Sequence, residues 1–412
     1  MRVPPTFLLL PATAALLIPP ASAQTPTQPP PAYRFSTASA SLRIPIDVVA
    51  DGLVFVQAAV NGHTGWFIVD NGTQGFTIDR EFARQIALRG GEQAPARGGG
   101  ANAIHAQIFH DVSISLPGFE LTHRNLVAID LKPLDPAVGH EVDGILGSRL
   151  FDDFVVAIDY AHRSLSIYES GQYQPSGRET ALPVRIDQHG FHYIDATIAL
   201  PGTEPVTGSF LIDGGANTYA DIYKPFADAH HIPPPSMKLL YEPGTSTGGT
   251  TESSDGRANA IRVGPYSVKD VPITFAQDVE GLMAATDYAG SIGAEFLERF
   301  TVVFDSPGKR ILLTPNRTYA EAAAYDQSGM RIHAEGPEFH EFVVGRILPG
   351  SAAAKAGIER GDIIESLDHF GAADVTLTQL RTLLTRSNAH YSLGVLRGTD
   401  YVPVTLQLRP LL

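Results

Sequence analysis

Gly65-Trp66-Phe67-Ile68-Val69-Asp70-Asn71-Gly72 is met again, 143 residues further on, as Gly208-Ser209-Phe210-Leu211-Ile212-Asp213-Gly214-Gly215. Each copy is an apolar run ending on an aspartate in a glycine turn. Each leads to an aromatic residue, Phe76 or Tyr219, and to a short helix-like run containing Phe82-Ala83 or Phe226-Ala227. Leu116-Pro117-Gly118-Phe119-Glu120-Leu121 then matches Val263-Gly264-Pro265-Tyr266-Ser267-Val268 at an offset of 147. Gly144-Ile145-Leu146-Gly147, running on to Phe154–Asp159, matches Gly290-Ser291-Ile292-Gly293, running on to Phe300–Asp305, at an offset of 146. One short repeat arises by chance. Four in the same order at nearly constant spacing make two copies of one folding unit.

Outward from the repeat, strand-like alternation begins near Leu42–Ile46, and Asp51-Gly52 and Asn61-Gly62 punctuate it as turns. The first unit is placed at 37–170, the second at 181–316, with a Gly/Ser/Gln-rich link at 171–180 between them. The Ala-rich stretch 317–327 predicts a linker helix into a third unit, 328–412. Residues 24–36 read as a Pro-rich disordered tail. Before it, Arg2, the apolar run Phe7–Ile18 and Ala21-Ser22-Ala23 predict an export signal cleaved after Ala23. The run is too short to span a bilayer. A soluble, periplasmic or extracellular protein is the expectation.

The formal charge is -14 for the full chain, and -15 once Arg2 leaves with the signal. No basic block offers a surface for nucleic acid. The chain has no cysteine, so disulfides and thiolate chemistry are excluded. Its histidines (His105, His110, His123, His189, His192, His230 and His231 among them) lack a ligand spacing, and no metal or other cofactor is expected. No Gly-x-Ser-x-Gly elbow supports a serine nucleophile. The Gly98–Gly100 and Gly248-Gly249 runs lack the Lys-Ser/Thr of a phosphate loop.

What remains is the pair of aspartates. One Asp-x-Gly turn is ordinary. Two in equivalent places of a duplicated unit meet across a pseudo-twofold axis. Two carboxylates at hydrogen-bonding distance share one proton, the arrangement for which aspartic proteases are the general example. One then activates water while the other protonates a carbonyl oxygen.

Val69-Asp70-Asn71-Gly72-Thr73 and Ile212-Asp213-Gly214-Gly215-Ala216, each with its later Gly-x-apolar-Gly strand, resemble the retropepsin-like and pepsin-like aspartic proteases over about Ser41–Asn316. The resemblance implies a mainly β fold of two homologous β-barrel lobes, and Asp70 and Asp213 as a catalytic dyad. Asn71, Gly72, Thr73, Gly214, Gly215 and Ala216 would support the loops. Flap-like hairpins would come from Gly98–Gly100 and Gly244–Thr250. The family places Thr or Ser where this chain has Asn71 and Gly214, and that hydroxyl ties the two loops together. Its loss predicts a looser dyad.

Pro349–Ile364, reading Pro-Gly-Ser-Ala-Ala-Ala-Lys-Ala-Gly-Ile-Glu-Arg-Gly-Asp-Ile-Ile, resembles the core signature of bacterial PDZ domains. The resemblance implies an α+β unit that binds peptides by strand addition. The added strand is expected along Phe342–Ile347, with Phe342, Val343, Val344 and Gly345 opposite Leu380 and Leu384 of a helix at Thr378–Thr385. Thr376 and Thr378 are its candidate N-caps. The carboxylate loop would fall at Pro337–Glu341, where Glu338 and Glu341 repel a carboxylate. The expected partners are a peptide or unfolded-protein substrate and a PDZ-bound C-terminal peptide, Arg409–Leu412 of a neighbour included. An exported aspartic endopeptidase is the first reading. A weakened or inactive peptide-binding pseudoprotease is its rival.

Overall fold

The computed structural model describes residues 32–36, 41–49, 51–96, 98, 104–241, 244–246, 249–278 and 281–412. The export signal lies outside the described residues. The chain is mainly β, in two barrels and a smaller C-terminal sheet.

The first barrel is built from β1 (Leu53–Val60), β2 (His63–Val69), β3 (Phe76–Asp79), β4 (Ile104–Leu116), β5 (Phe119–Ile129) and β6 (Gly144–Leu146). β1 and β2 form a hairpin whose turn, Asn61-Gly62, has positive φ at both residues (48° and 85°), the geometry that matches strand twist. β6 threads between β2, in parallel, and β3, antiparallel. β3 continues parallel to β5, and β5–β4–β1 close the barrel. The second barrel uses β7 (His192–Ala199), β8 (Val206–Ile212), β9 (Ala220–Ile222), β10 (Ser253–Val263), β11 (Tyr266–Ala276) and β12 (Gly290–Ile292). β12 lies parallel to β8 and antiparallel to β9, β9 parallel to β11, and β11–β10–β7 complete the circuit. The two strand orders are the same.

The threading explains the late glycines of the repeat. A Cβ on Gly144 would overlap the Phe67 ring, and one on Gly290 would overlap the Asp221 carbonyl oxygen. Gly290→Ala is accordingly expected to lower stability by about 3 kcal/mol, since an overpacked β8–β12–β9 contact has no flexible group to give way. Urea unfolding checks it: a loss under ~1 kcal/mol would show that the strands slide apart readily.

A six-stranded sheet joins the barrels. It runs Thr180–Pro183, Arg310–Pro315, Phe300–Asp305, Val155–Asp159, Ser164–Tyr168, Ser41–Pro45. At its centre Ala157 faces Val303, its own equivalent at the repeat offset of 146, so the pseudo-twofold axis passes through that pair. One continuous apolar core spans both barrels, and the C-terminal unit has its own.

Two sequence expectations need correction. The tail at 24–36 is not disordered throughout: Ala32–Phe35 adds a strand to β5, with Tyr33 edge-on to Phe154 (5.0 Å) and Phe35 against Phe119 (4.9 Å). The stretch 317–327 is turn and irregular chain, not helix. Arg299, only 4% exposed, draws its carbonyls inward, donating to the oxygens of Thr318, Tyr319 and Glu321 (3.2, 3.2 and 2.7 Å). Oxygens so engaged point away from a helix axis.

The C-terminal unit orders β13 (Met330–Glu335), β14 (Glu341–Ile347), β15 (Ile363–Leu367), β16 (His390–Arg397) and β17 (Asp400–Gln407). Its helix Leu377–Leu384 is capped by Thr376, whose hydroxyl accepts from Gln379 N–H while the Gln379 side chain accepts from Thr376 N–H. Among the described residues, no helix is long and apolar enough to cross a membrane.

Candidate active site

Asp70 ends β2 and Asp213 ends β8. Each is tied through its N–H to the late strand of its own barrel, Asp70 to Leu146 O (3.0 Å) and Asp213 to Ile292 O (2.9 Å). Both side chains are fully buried, at 0% exposure. The following glycine N–H turns back on each carboxylate: Gly72 to Asp70 Oδ1 (2.7 Å) and Gly215 to Asp213 Oδ1 (3.0 Å). Gly72 sits between the two groups, for a Cβ on it would overlap the Asp213 carboxylate.

The pair is not symmetric. Thr73 Oγ1 donates to Asp70 Oδ2 (2.7 Å), whereas the equivalent residue, Ala216, has no hydroxyl and Asp213 Oδ2 receives no donor. Burial, then the neighbouring Asp70 carboxylate, hold the Asp213 carboxyl well above its ordinary range. Asp221, fully buried on β9, adds to this. Burial raises it to about 6 although Ser291 Oγ (2.8 Å) and Thr218 Oγ1 (3.1 Å) both donate to it. Sequence reading passed over Asp221; the signal was a charge in an apolar strand.

The loops are tied in spite of the missing hydroxyls, and Asn71 makes the tie. Its amide crosses between barrels, donating from Nδ2 to Ile212 O (2.5 Å) and accepting at Oδ1 from Gly214 N–H (2.9 Å). One side chain makes both halves of the tie. Gly214 leaves room for it: a Cβ there would lie 3.2 Å from Asn71 Oδ1. Of the flap-like stretches, Gly244–Ser246 and Gly249–Thr251 pair as a hairpin, while 99–103 and 247–248 lie outside the described residues.

The strand expected to receive a peptide is already paired. Phe342–Val344 of β14 are paired on one edge to β13 and on the other to β15, so neither edge accepts another strand. The outer strand is β13, and the Leu377–Leu384 helix packs beside it; Leu380 and Leu384 lie buried in the core. The turn into β13 is Asp326–Gly329, not Pro337–Glu341, and Asp326 already takes the N–H groups of Ser328 and Gly329 (3.2 and 2.7 Å). A terminal carboxylate would have to displace it. The first lobe reaches β13 as well: Arg381 Nη2 bridges Ile332 O (2.7 Å) and Ala137 O of helix Asp135–Val138 (2.9 Å).

Two closed barrels threaded behind paired aspartate turns define the bilobed aspartic-protease architecture. The chain carries an aspartyl protease domain, matched by that family's model over residues 56–150, and a PDZ domain, matched over residues 323–396. The first match falls on the first barrel, which the second repeats in strand order. Comparison with curated proteins finds no match for the chain.

Proposed function

We propose that the chain is an exported aspartic endopeptidase with Asp70 and Asp213 as its dyad, acting on peptides or unfolded proteins. The observation that carries this reading is the meeting of two fully buried carboxylates, from equivalent turns of two barrels, around Gly72. Asp213 Oδ2 has no other donor, so a proton held between the carboxyls satisfies both. The asymmetry divides the roles. Asp70, held by Gly72 N–H and Thr73 hydroxyl, is the ionised member and takes a proton from the attacking water. Asp213 carries the proton and passes it to the peptide carbonyl oxygen as the tetrahedral adduct forms. Cleavage of unfolded casein between pH 3 and 8, blocked by a statine-type inhibitor, tests the reading; a folded protein inert at every pH refutes it.

The role of Asp213 as acid fixes the sign of a pH effect. A hydroxyl donor stabilises the charged form, so Ala216→Ser lowers the Asp213 pKa and moves the alkaline limb of kcat/KM about one pH unit to acid. A limb that stays in place would take the proton away from Asp213.

The alternative is a pseudoprotease that holds extended peptides without cutting. Gly214 and Ala216 favour it, because both second-barrel positions lack a hydroxyl.

A further inference from the structure

A cavity of about 170 Å³ lies where the three units meet. Asp51 reaches it from the first barrel, Asn217, Asp255 and Glu295 from the second, and Arg331 and Arg381 from the PDZ domain, whose Met330, Ile332 and Leu384 form an apolar wall. Gly52 abuts Ala294 so closely that a Cβ would strike its backbone, and this seats Asp51 beside Glu295. Asn217 follows Asp213 by four residues, so the cavity begins within about 14 Å of that aspartate.

The lining leaves acceptors without donors. Neither the Asp51 nor the Glu295 carboxylate has a hydrogen-bond or ion-pair partner among the described residues. Asn217 is only 7% exposed, and its Oδ1 receives no donor. The positive groups present are in part engaged: Arg331 pairs with Asp326 (3.2 Å), and Arg381 donates to two carbonyls through Nη2, while its Nη1 receives no partner. Asp255 accepts from Thr274 and Tyr325 hydroxyls. Four carboxylates face two guanidiniums. Burial holds Asp51 and Glu295 above their ordinary range, against the opposing pull of Arg381 on Asp51 and of Arg299 on Glu295, and the Asp51 carboxylate raises Glu295 further.

We propose that this junction cavity receives a cationic group of the substrate, with Asp51, Glu295 and Asn217 Oδ1 accepting from its N–H donors and the PDZ wall covering its alkyl stem. A lysine or arginine side chain, apolar along its length and charged at its tip, has that shape; a free α-ammonium carries the same charge. The assignment makes the PDZ domain part of the substrate site, and it rests on Asp70 and Asp213 as the catalytic pair.

The test uses labelled peptides, taken from casein cleavage sites, bound to full-length Asp213→Asn protein and read by fluorescence anisotropy. Binding needs no turnover, so the cavity is tested even if the wild type cuts nothing, and lack of turnover bears on the dyad alone. Replacing lysine by norleucine is expected to weaken binding about 10- to 100-fold, the effect of losing a charge-assisted contact. If acetylating the N-terminus produces that loss instead, the α-ammonium is the bound group. Adding Glu295→Gln or Asp51→Asn should shrink the difference between cationic and neutral peptides, and Glu295→Lys should reverse it. Equal binding of all peptides, or a preference untouched by these three changes, overturns the proposal.

Discussion

Asp213→Asn is expected to lower casein cleavage by about 10²- to 10⁴-fold, the usual contribution of a general acid, while raising the melting temperature at pH 7. The two effects have one cause. Asp213 is buried beside Asp70, and its carboxyl titrates well above the usual range. A carboxyl raised on folding holds its proton more tightly in the native state. Its adverse contribution is absent below the unfolded pKa, about 3.9, and grows as pH rises through the native value. An asparagine carries no charge at any pH and retains an oxygen for Gly215 N–H. The gain in melting temperature should therefore be present at pH 7 and vanish near pH 3. Asp70→Asn should lose activity too, and it deletes the acceptor of the Thr73 hydroxyl. Undiminished cleavage by Asp213→Asn would remove it from the mechanism. A melting gain in a protein whose wild type never cuts would mark the pair as a retained structural relic, which is the pseudoprotease reading.

The barrels were legible because threading leaves a chemical trace. A strand that passes behind the aspartate turns must omit side chains where it is crowded by β2 and β3 in one barrel and by β9 in the other, so glycines stand at 144 and 290, and duplication prints the same trace twice. What depends on which distant strand lies alongside was not legible. β13 is an outer strand of the PDZ sheet, and nothing local in Met330–Glu335 distinguishes it from β14, which is paired on both sides. The segment 317–327 has helix-forming alanines, but Arg299 claims its carbonyls from outside the segment. The role of Asn71 was hidden for a like reason. Its partners are 141 and 143 residues away, and side-chain identity alone does not reveal a reach across the barrel interface.

That reach gives the second large effect. Asn71→Ala leaves the Ile212 carbonyl and the Gly214 N–H buried without partners, at about 1–3 kcal/mol for each group, and the turns it ties are free to shift. Displacing catalytic groups by about 1 Å costs on the order of 10² in rate, so kcat should fall by roughly that factor even though both aspartates remain. Gly214→Thr adds a Cβ 3.2 Å from Asn71 Oδ1, in contact tight enough to push the amide off its partners. It should therefore be harmful alone. Asn71→Thr alone shortens the side chain and should be harmful as well. Together the two threonines give each turn a hydroxyl, so the double variant should be more stable and more active than the sum of its parents allows. A double-mutant cycle in melting and kcat/KM measures that coupling. Additive losses would mean that Asn71 is not the tie between the barrels. Activity that appears only in the double variant would mean that the natural chain binds peptides without cutting them, its single amide being sufficient to hold the fold and insufficient to align the pair.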